Sequence, residues 1–262
     1  MTDEQKRVHI IYPALLNPTN PISVNLIGAG GTGSQMLTAL SRINKALNAL
    51  GHAGLQVTVF DHDTVQPANL ARQLFTENEI GLNKAVALIN RINRFFGTNW
   101  KAVPHYFGKQ TVRNPKANIT ISCVDTVSAR IEIEEMLRAG IGKNLHRDSP
   151  VYLLDFGNSK NSGQMILSTI GEVTQPESKK FQPVGILPSL LEDYRNMILG
   201  KEEDNTPSCS LAEALEKQDL FINSALVNMG ASFLWQMLRI GIIESRGFFL
   251  NLGSFRTQQI PV

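Results

Sequence analysis

Along most of this chain, short apolar runs alternate with longer stretches whose apolar residues recur at helical spacing. SVNLIG, residues 23–28, reads as a buried strand and runs straight into GAGGTGS. The next segment carries Met36, Leu37, Leu40, Ile43, Leu47 and Leu50 on a helical period, and Gly51 and Gly54 end it. LQVTVF is a second strand and closes on DHD. Strand, glycine-rich turn, helix, strand and acid make one βαβ unit.

The alternation continues. DTVQPANLARQLFTENEIG is a loop, and LNKAVALINRINRFF an amphipathic helix with Leu82, Val86, Ile89, Ile92 and Phe96 on one side. KAVPHYF is an edge-strand candidate because Pro104 cannot donate to a ladder. NITISCVD is a strand ending in an acid, TVSARIEIEEMLRAG a helix, PVYLLDFGN a strand and GQMILSTIG another. These elements predict an α/β fold: a Rossmann-like, doubly wound, mostly parallel sheet with helices on both faces.

The expected organisation is an irregular, proline-punctuated segment over 1–21 and a core over 22–170. A crossing segment follows over 171–208, around a short helix LPSLLEDYRNMIL, and 209–262 complete the same domain. That last part holds a long helix, DLFINSALVNMGASFLWQMLRIG, and a late strand or hairpin, GFFLNLGSF.

Composition narrows the classes. A net charge of +2 gives no bulk argument for nucleic acid. No window approaches the length of a membrane span, and Pro13 breaks the early apolar run before any signal-peptide cleavage site. Two cysteines, Cys123 and Cys209, cannot build a four-thiolate zinc site, and a cytoplasmic setting is expected. Arg239, Arg246 and Arg256 are expected to be solvated.

The chemistry gathers at the glycines. Gly28, Gly30, Gly31 and Gly33 permit a tight turn and close backbone approach to phosphate, and the following helix aims N–H groups at an anion. Asp61 stands where a ribose hydroxyl would be bound, with Asp63 in the same DHD. This much suits NAD as well as ATP. The following loop separates them: Asn69, Arg72 and Gln73, then Lys84 at the next helix start, form a set that charge on an α-phosphate and a departing pyrophosphate calls for. Asp125, ending a later strand, is a candidate Mg²⁺ ligand. Asp155 and Asn158 end another strand, where they could orient a carboxylate.

GAGGTGSQ, DHDTVQPANLARQ, GLNKA and CVDTVSAR together resemble the ThiF/MoeB/HesA superfamily, whose fold also forms the adenylation domain of ubiquitin-activating enzymes. D-x-D-x-V-x-x-x-N-L-x-R-Q is matched without a gap, and the resemblance covers roughly 22–170. DFGN followed by GQ, and PSCSLAEALEKQDLFIN, are most similar to the PRTRC system ThiF family. The resemblance implies an ATP-dependent adenylyltransferase acting on the C-terminal carboxylate of a small ubiquitin-like protein, a homodimer, and a conjugating-enzyme-like acceptor. It implies that Asp61 holds the ribose, that Asn69, Arg72 and Lys84 contact phosphates with Gln73 supporting the loop, that Asp125 coordinates Mg²⁺, and that Arg130 is structural. Three departures stand out. The N-terminal arginine that in members reaches the partner's ATP site has no clear counterpart, Arg7 being a candidate in unmatched surroundings. Thr126 occupies a position often held by Asn, and the paired CxxC motifs that bind zinc in many members are missing, so no zinc is expected.

TPSCSLAEAL resembles the context of the thioester-forming cysteine of ubiquitin-activating enzymes, making Cys209 a candidate acyl acceptor; the alternative is a small apolar filler. Two other functions compete with adenylation. One is an NAD-dependent oxidoreductase, against which the arginine-bearing loop argues. The other is a non-catalytic nucleotide-binding adaptor, which would not need Arg72, Lys84 and Asp125 together.

Overall fold

The computed structural model describes residues 5–112, 116–141, 147–199 (backbone only from 195) and 217–262. An eight-stranded sheet organises the chain. Its parallel part is β4 (Lys101–Val103), β3 (Leu55–Phe60), β2 (Ile22–Ile27), β5 (Ile119–Ser122) and β6 (Tyr152–Asn158), in that spatial order. Antiparallel β7 (Ser162–Thr169), β10 (Ser245–Asn251) and β11 (Arg256–Pro261) extend it beyond β6. The α/β, mostly parallel architecture is therefore as the alternation of periods predicts.

Side-chain alternation in the strands serves two layers. Val24, Leu26, Val57, Val59, Ile119 and Ile121 join one core with α1 (Gly31–Ala49), α2 (Lys84–Phe96) and the last helix, α5 (Ile222–Ile240). Ile27, Phe60 and Leu153 point the other way, onto Ile133, Met136 and Leu137 of α3 (Val127–Ala139). Beside α3 lies α4 (Leu190–Leu199). Chain order reverses between neighbouring β2 and β5, so the carboxyl ends of these two strands frame a crevice.

Three expectations are corrected. Residues 1–21 are not irregular throughout: β1 (Lys6–Ile10) pairs with β8 (Phe181–Pro183) in parallel and with β9 (Ile242–Ile243) antiparallel. On α2 the buried face is Ala85, Leu88, Ile89 and Ile92, while Leu82 precedes the helix and is exposed. Arg246 is buried rather than solvated, donating to Pro188 O at 2.7 Å and pairing with Asp193.

Fully buried His9 fastens β1 to the main sheet. Its Nδ1–H donates to Val184 O at 2.6 Å, which leaves Nε2 to accept the Tyr152 hydroxyl at 2.8 Å. The same hydroxyl oxygen accepts the Tyr12 N–H at 3.0 Å. Burial pushes the His9 pKa down and that of Tyr152 up, so the network is built from neutral partners. Among the described residues no helix is long and apolar enough to cross a membrane.

Candidate nucleotide site

The glycine turn joins β2 to α1. Gly28 adopts φ +89°, a left-handed conformation, with its Cα against the Cys123 carbonyl; a Cβ there would stand 2.8 Å from that oxygen. A Cβ on Gly33 would lie 1.8 Å from Gly28 O, and one on Gly31 would lie 2.5 Å from Asn223 Nδ2. Gly30 differs: a Cβ there would meet nothing nearer than Gln73 Nε2 at 4.0 Å. Gly30 is also the N-cap of α1, so no side chain caps that helix start.

Hydrogen bonds radiate from this turn in two directions. In the first, the Ala29 N–H donates to Asp61 Oδ2 at 2.6 Å and the Asp63 N–H to Asp61 Oδ1 at 2.8 Å. Asp63 in turn takes Lys84 Nζ at 2.8 Å, the lysine side chain being only 9% exposed. Asn83 caps α2 through Val86 N–H and donates to the carbonyls of Asp61 and Asp63. Desolvation raises the Asp61 pKa, opposed by the two backbone donors and by Lys84.

The second direction leads to Arg72. Its Nη1 donates to Gln218 Oε1 at 2.5 Å, and that oxygen also takes Asn223 Nδ2 at 3.2 Å. Asn223, 1% exposed, accepts from Thr32 Oγ1 in the first turn of α1 at 3.0 Å and from Asn158 Nδ2 at 3.3 Å. Arg72 Nε and Gln73 Oε1 are buried without a partner among the described residues, and burial lowers the Arg72 pKa. The loop carrying them is held locally: Asn69 Oδ1 accepts the Gln66 N–H at 2.8 Å, Ser34 Oγ accepts the Leu74 N–H at 3.1 Å, and Ala71 takes φ +65°. The arrangement thus brings the glycine turn, Asp61, Asp63, Arg72, Gln73 and Lys84 together, while Asn69 works as a loop brace.

Asp125 is exposed in the bend after β5, two residues beyond Cys123. Thr126 caps α3, its side chain accepting the Ala129 N–H at 3.3 Å. A threonine here therefore serves the helix start. Arg130 is buried, pairs with Asp155, and donates to Val124 O at 2.5 Å and Phe156 O at 2.9 Å. Asp155 is consequently occupied inside the fold and is not free to orient a substrate. Burial pushes the Cys123 thiol up to about 12, which leaves it without nucleophilic character. Cys209 lies outside the described residues.

Two groupings invite a ligand. Asp61, His62 and Asp63 place ligand atoms within 4.8 Å of one another, but Asp61 already serves two N–H donors and Asp63 a lysine. A cleft of about 660 Å³ lies at the start of α5 and the turn of the β10–β11 hairpin, walled by Phe221, Leu252 and Phe255 with Lys160 at its rim. Gln218 and Asn223 carried little signal in the sequence, standing as polar residues on either side of DLFI.

A profile of the ThiF family matches residues 4–143. Ubiquitin-like modifier-activating enzyme 5 of Drosophila erecta is 31% identical over 127 residues, 42% of this chain and 29% of the relative. The same enzyme of Aedes aegypti is 28% identical, over 42% and 30%. The matched region thus spans less than a third of these relatives. Among solved structures, E. coli MccB superposes with TM-score 0.60 at 14% identity, covering 94% of this chain and 63% of that one. PaaA gives 0.58 at 14%, covering 96% and 66%. E. coli MccB with ATP gives 0.57 at 13%, covering 94% and 64%. At such identities the likeness concerns the fold.

Proposed function

The chain belongs to the ThiF family, and from that premise we propose that it is an ATP-dependent adenylyltransferase. A substrate carboxylate oxygen attacks the α-phosphorus of ATP, the bond to the bridging oxygen breaks, and its electron pair leaves with pyrophosphate. One observation carries this reading: the half-buried Arg72 guanidinium, bonded to a neutral amide and with Nε unpartnered, is linked to an uncapped helix start. Positive charge and unpaired donors so disposed suit an anion.

The remaining roles follow from donor chemistry. Gly28, Gly31 and Gly33 keep the turn tight, and the open side of Gly30 leaves room for phosphate. Asp61 spends one lone pair of each oxygen on the backbone and retains others for ribose hydroxyls. Lys84 exchanges Asp63 for phosphate oxygens, and Gln73 turns its unpartnered Oε1 toward the bound nucleotide. Asp125 offers an exposed hard oxygen donor near the turn, which fits Mg²⁺; the ion would neutralise phosphate charge.

For the substrate, the relatives bear the name of ubiquitin-like modifier-activating enzymes, and MccB has been solved with MccA. We infer that this chain activates the C-terminal carboxylate of a small ubiquitin-like protein, whose tail reaches the nucleotide past the apolar cleft at Phe221 and Phe255. Passage of the acyl group to Cys209 with loss of AMP, onward transfer to a conjugating-enzyme-like acceptor, a homodimeric state and membership of the PRTRC branch belong to the same proposal.

ATP–pyrophosphate exchange with candidate ubiquitin-like proteins tests it. Wild type should exchange; Asp125→Ala should lose exchange by about 10²-fold or more. Cys209→Ala should keep exchange and lose any reducible covalent adduct. Exchange that survives Asp125→Ala overturns the metal assignment, and an adduct unchanged in Cys209→Ala overturns the thioester.

A further inference from the structure

Arginines elsewhere in this protein show what a purely structural guanidinium receives. Arg130 is buried against Asp155 and Arg246 against Asp193, each an ion pair completed by backbone carbonyls. Arg72 receives a glutamine instead. Gln218, 146 positions further along the chain, accepts its Nη1–H at 2.5 Å. A carboxylate in that place would bond more strongly and would also cancel the charge. A neutral acceptor fixes the direction of the guanidinium and leaves its charge for something else.

The fixing is not local. Gln218 Oε1 also takes Asn223 Nδ2, and Asn223 is wedged where a Cβ on Gly31 would stand. Asn223 further accepts from Thr32 in the first turn of α1 and from Asn158 at the end of β6. The relay Arg72–Gln218–Asn223 thereby sets the guanidinium in register with the helix start. The buried, unpartnered Nε of Arg72 and Oε1 of Gln73 lie along the same loop, leaving polar atoms for a ligand to satisfy.

We propose that Gln218 is the positioning residue that aims Arg72 at the phosphates of ATP, with Asn223 as its anchor on the glycine turn. This rests on the adenylyltransferase reading. Gln218 touches neither reacting atom; it works through Arg72 and keeps that side chain oriented without neutralising it.

The experiment compares wild type with Gln218→Glu and Gln218→Ala, each also combined with Arg72→Ala. ATP affinity is measured by calorimetry, exchange kinetics by kcat and KM, and melting temperature alongside. Gln218→Glu, nearly isosteric, should weaken ATP binding and raise KM about tenfold, because the new carboxylate pairs with Arg72. Gln218→Ala should lower kcat about tenfold with a smaller change in KM, because the guanidinium is no longer oriented. In the Arg72→Ala background neither change should have further effect. Wild-type ATP binding together with unaltered affinity and kinetics in both variants overturns the relay alone; so do losses that persist undiminished without Arg72. A wild-type protein that binds no ATP overturns the adenylation reading and the relay with it. Should Gln218→Ala fail to fold, the Gln218→Glu arm alone decides by the same criteria.

Discussion

Single residues in the glycine turn divide between those that build it and one that faces outward. Gly33 has no room for a Cβ, since Gly28 O would lie 1.8 Å away, whereas Gly30 has 4.0 Å of clearance and an ordinary negative φ of −77°. Gly33→Ala should therefore destabilise the protein by about 2 kcal/mol or more. Gly30→Ala should destabilise less than Gly33→Ala and weaken ATP binding, because its methyl enters the space assigned to phosphate. Urea unfolding and calorimetry separate the two. The sequence spacing made both glycines visible but could not rank them, because the atoms that crowd Gly33 and Gly31 come from the turn itself and from Asn223. Asp61 and Asp155 both read in the sequence as acids at strand ends. Asp155 instead lies in the middle of β6, where Arg130 consumes it.

Elements are joined at this site by buried polar contacts. Arg130 on α3 ties the bend before that helix to β6 through Val124 O, Phe156 O and Asp155. Arg130→Met should cost about 3–5 kcal/mol in urea unfolding, because Asp155 is left charged and buried. Adding Asp155→Leu should recover much of the loss, since removing both charges removes the desolvation penalty as well. At this scale the strongly periodic segments were legible: β2, α1, β3 and α3 each lie within a few residues of their expected bounds. The helix face of α2 was displaced because Asn83 sets the start of the helix and leaves Leu82 outside it. β1 was missed because KRVHI is short and its partners stand near residues 182 and 243, beyond the reach of local periodicity.

At the scale of the whole molecule, His9 links the small sheet to the large one. Its pKa is depressed by burial from 6.5, so the folded state favours the neutral ring. The unfolded chain then binds more protons as pH falls through 6.5, and stability that is fully present above that value is lost below it. Wild-type stability should fall between about pH 7 and pH 5, by no more than about 1.4 kcal/mol per pH unit from this group. His9→Gln should be less stable at neutral pH and should lack that part of the slope. Denaturant titrations at several pH values measure both.

The placement of β1 also governs the order in which the molecule can be completed. Its antiparallel partner, Ile242–Ile243, stands more than 230 residues further along the chain. The βαβ unit around the glycine turn pairs its strands across about 30 residues, whereas β1 waits for a distant strand. A chain cut before Ile242 would hold β1 by its parallel neighbour β8 alone, with its antiparallel side unpaired.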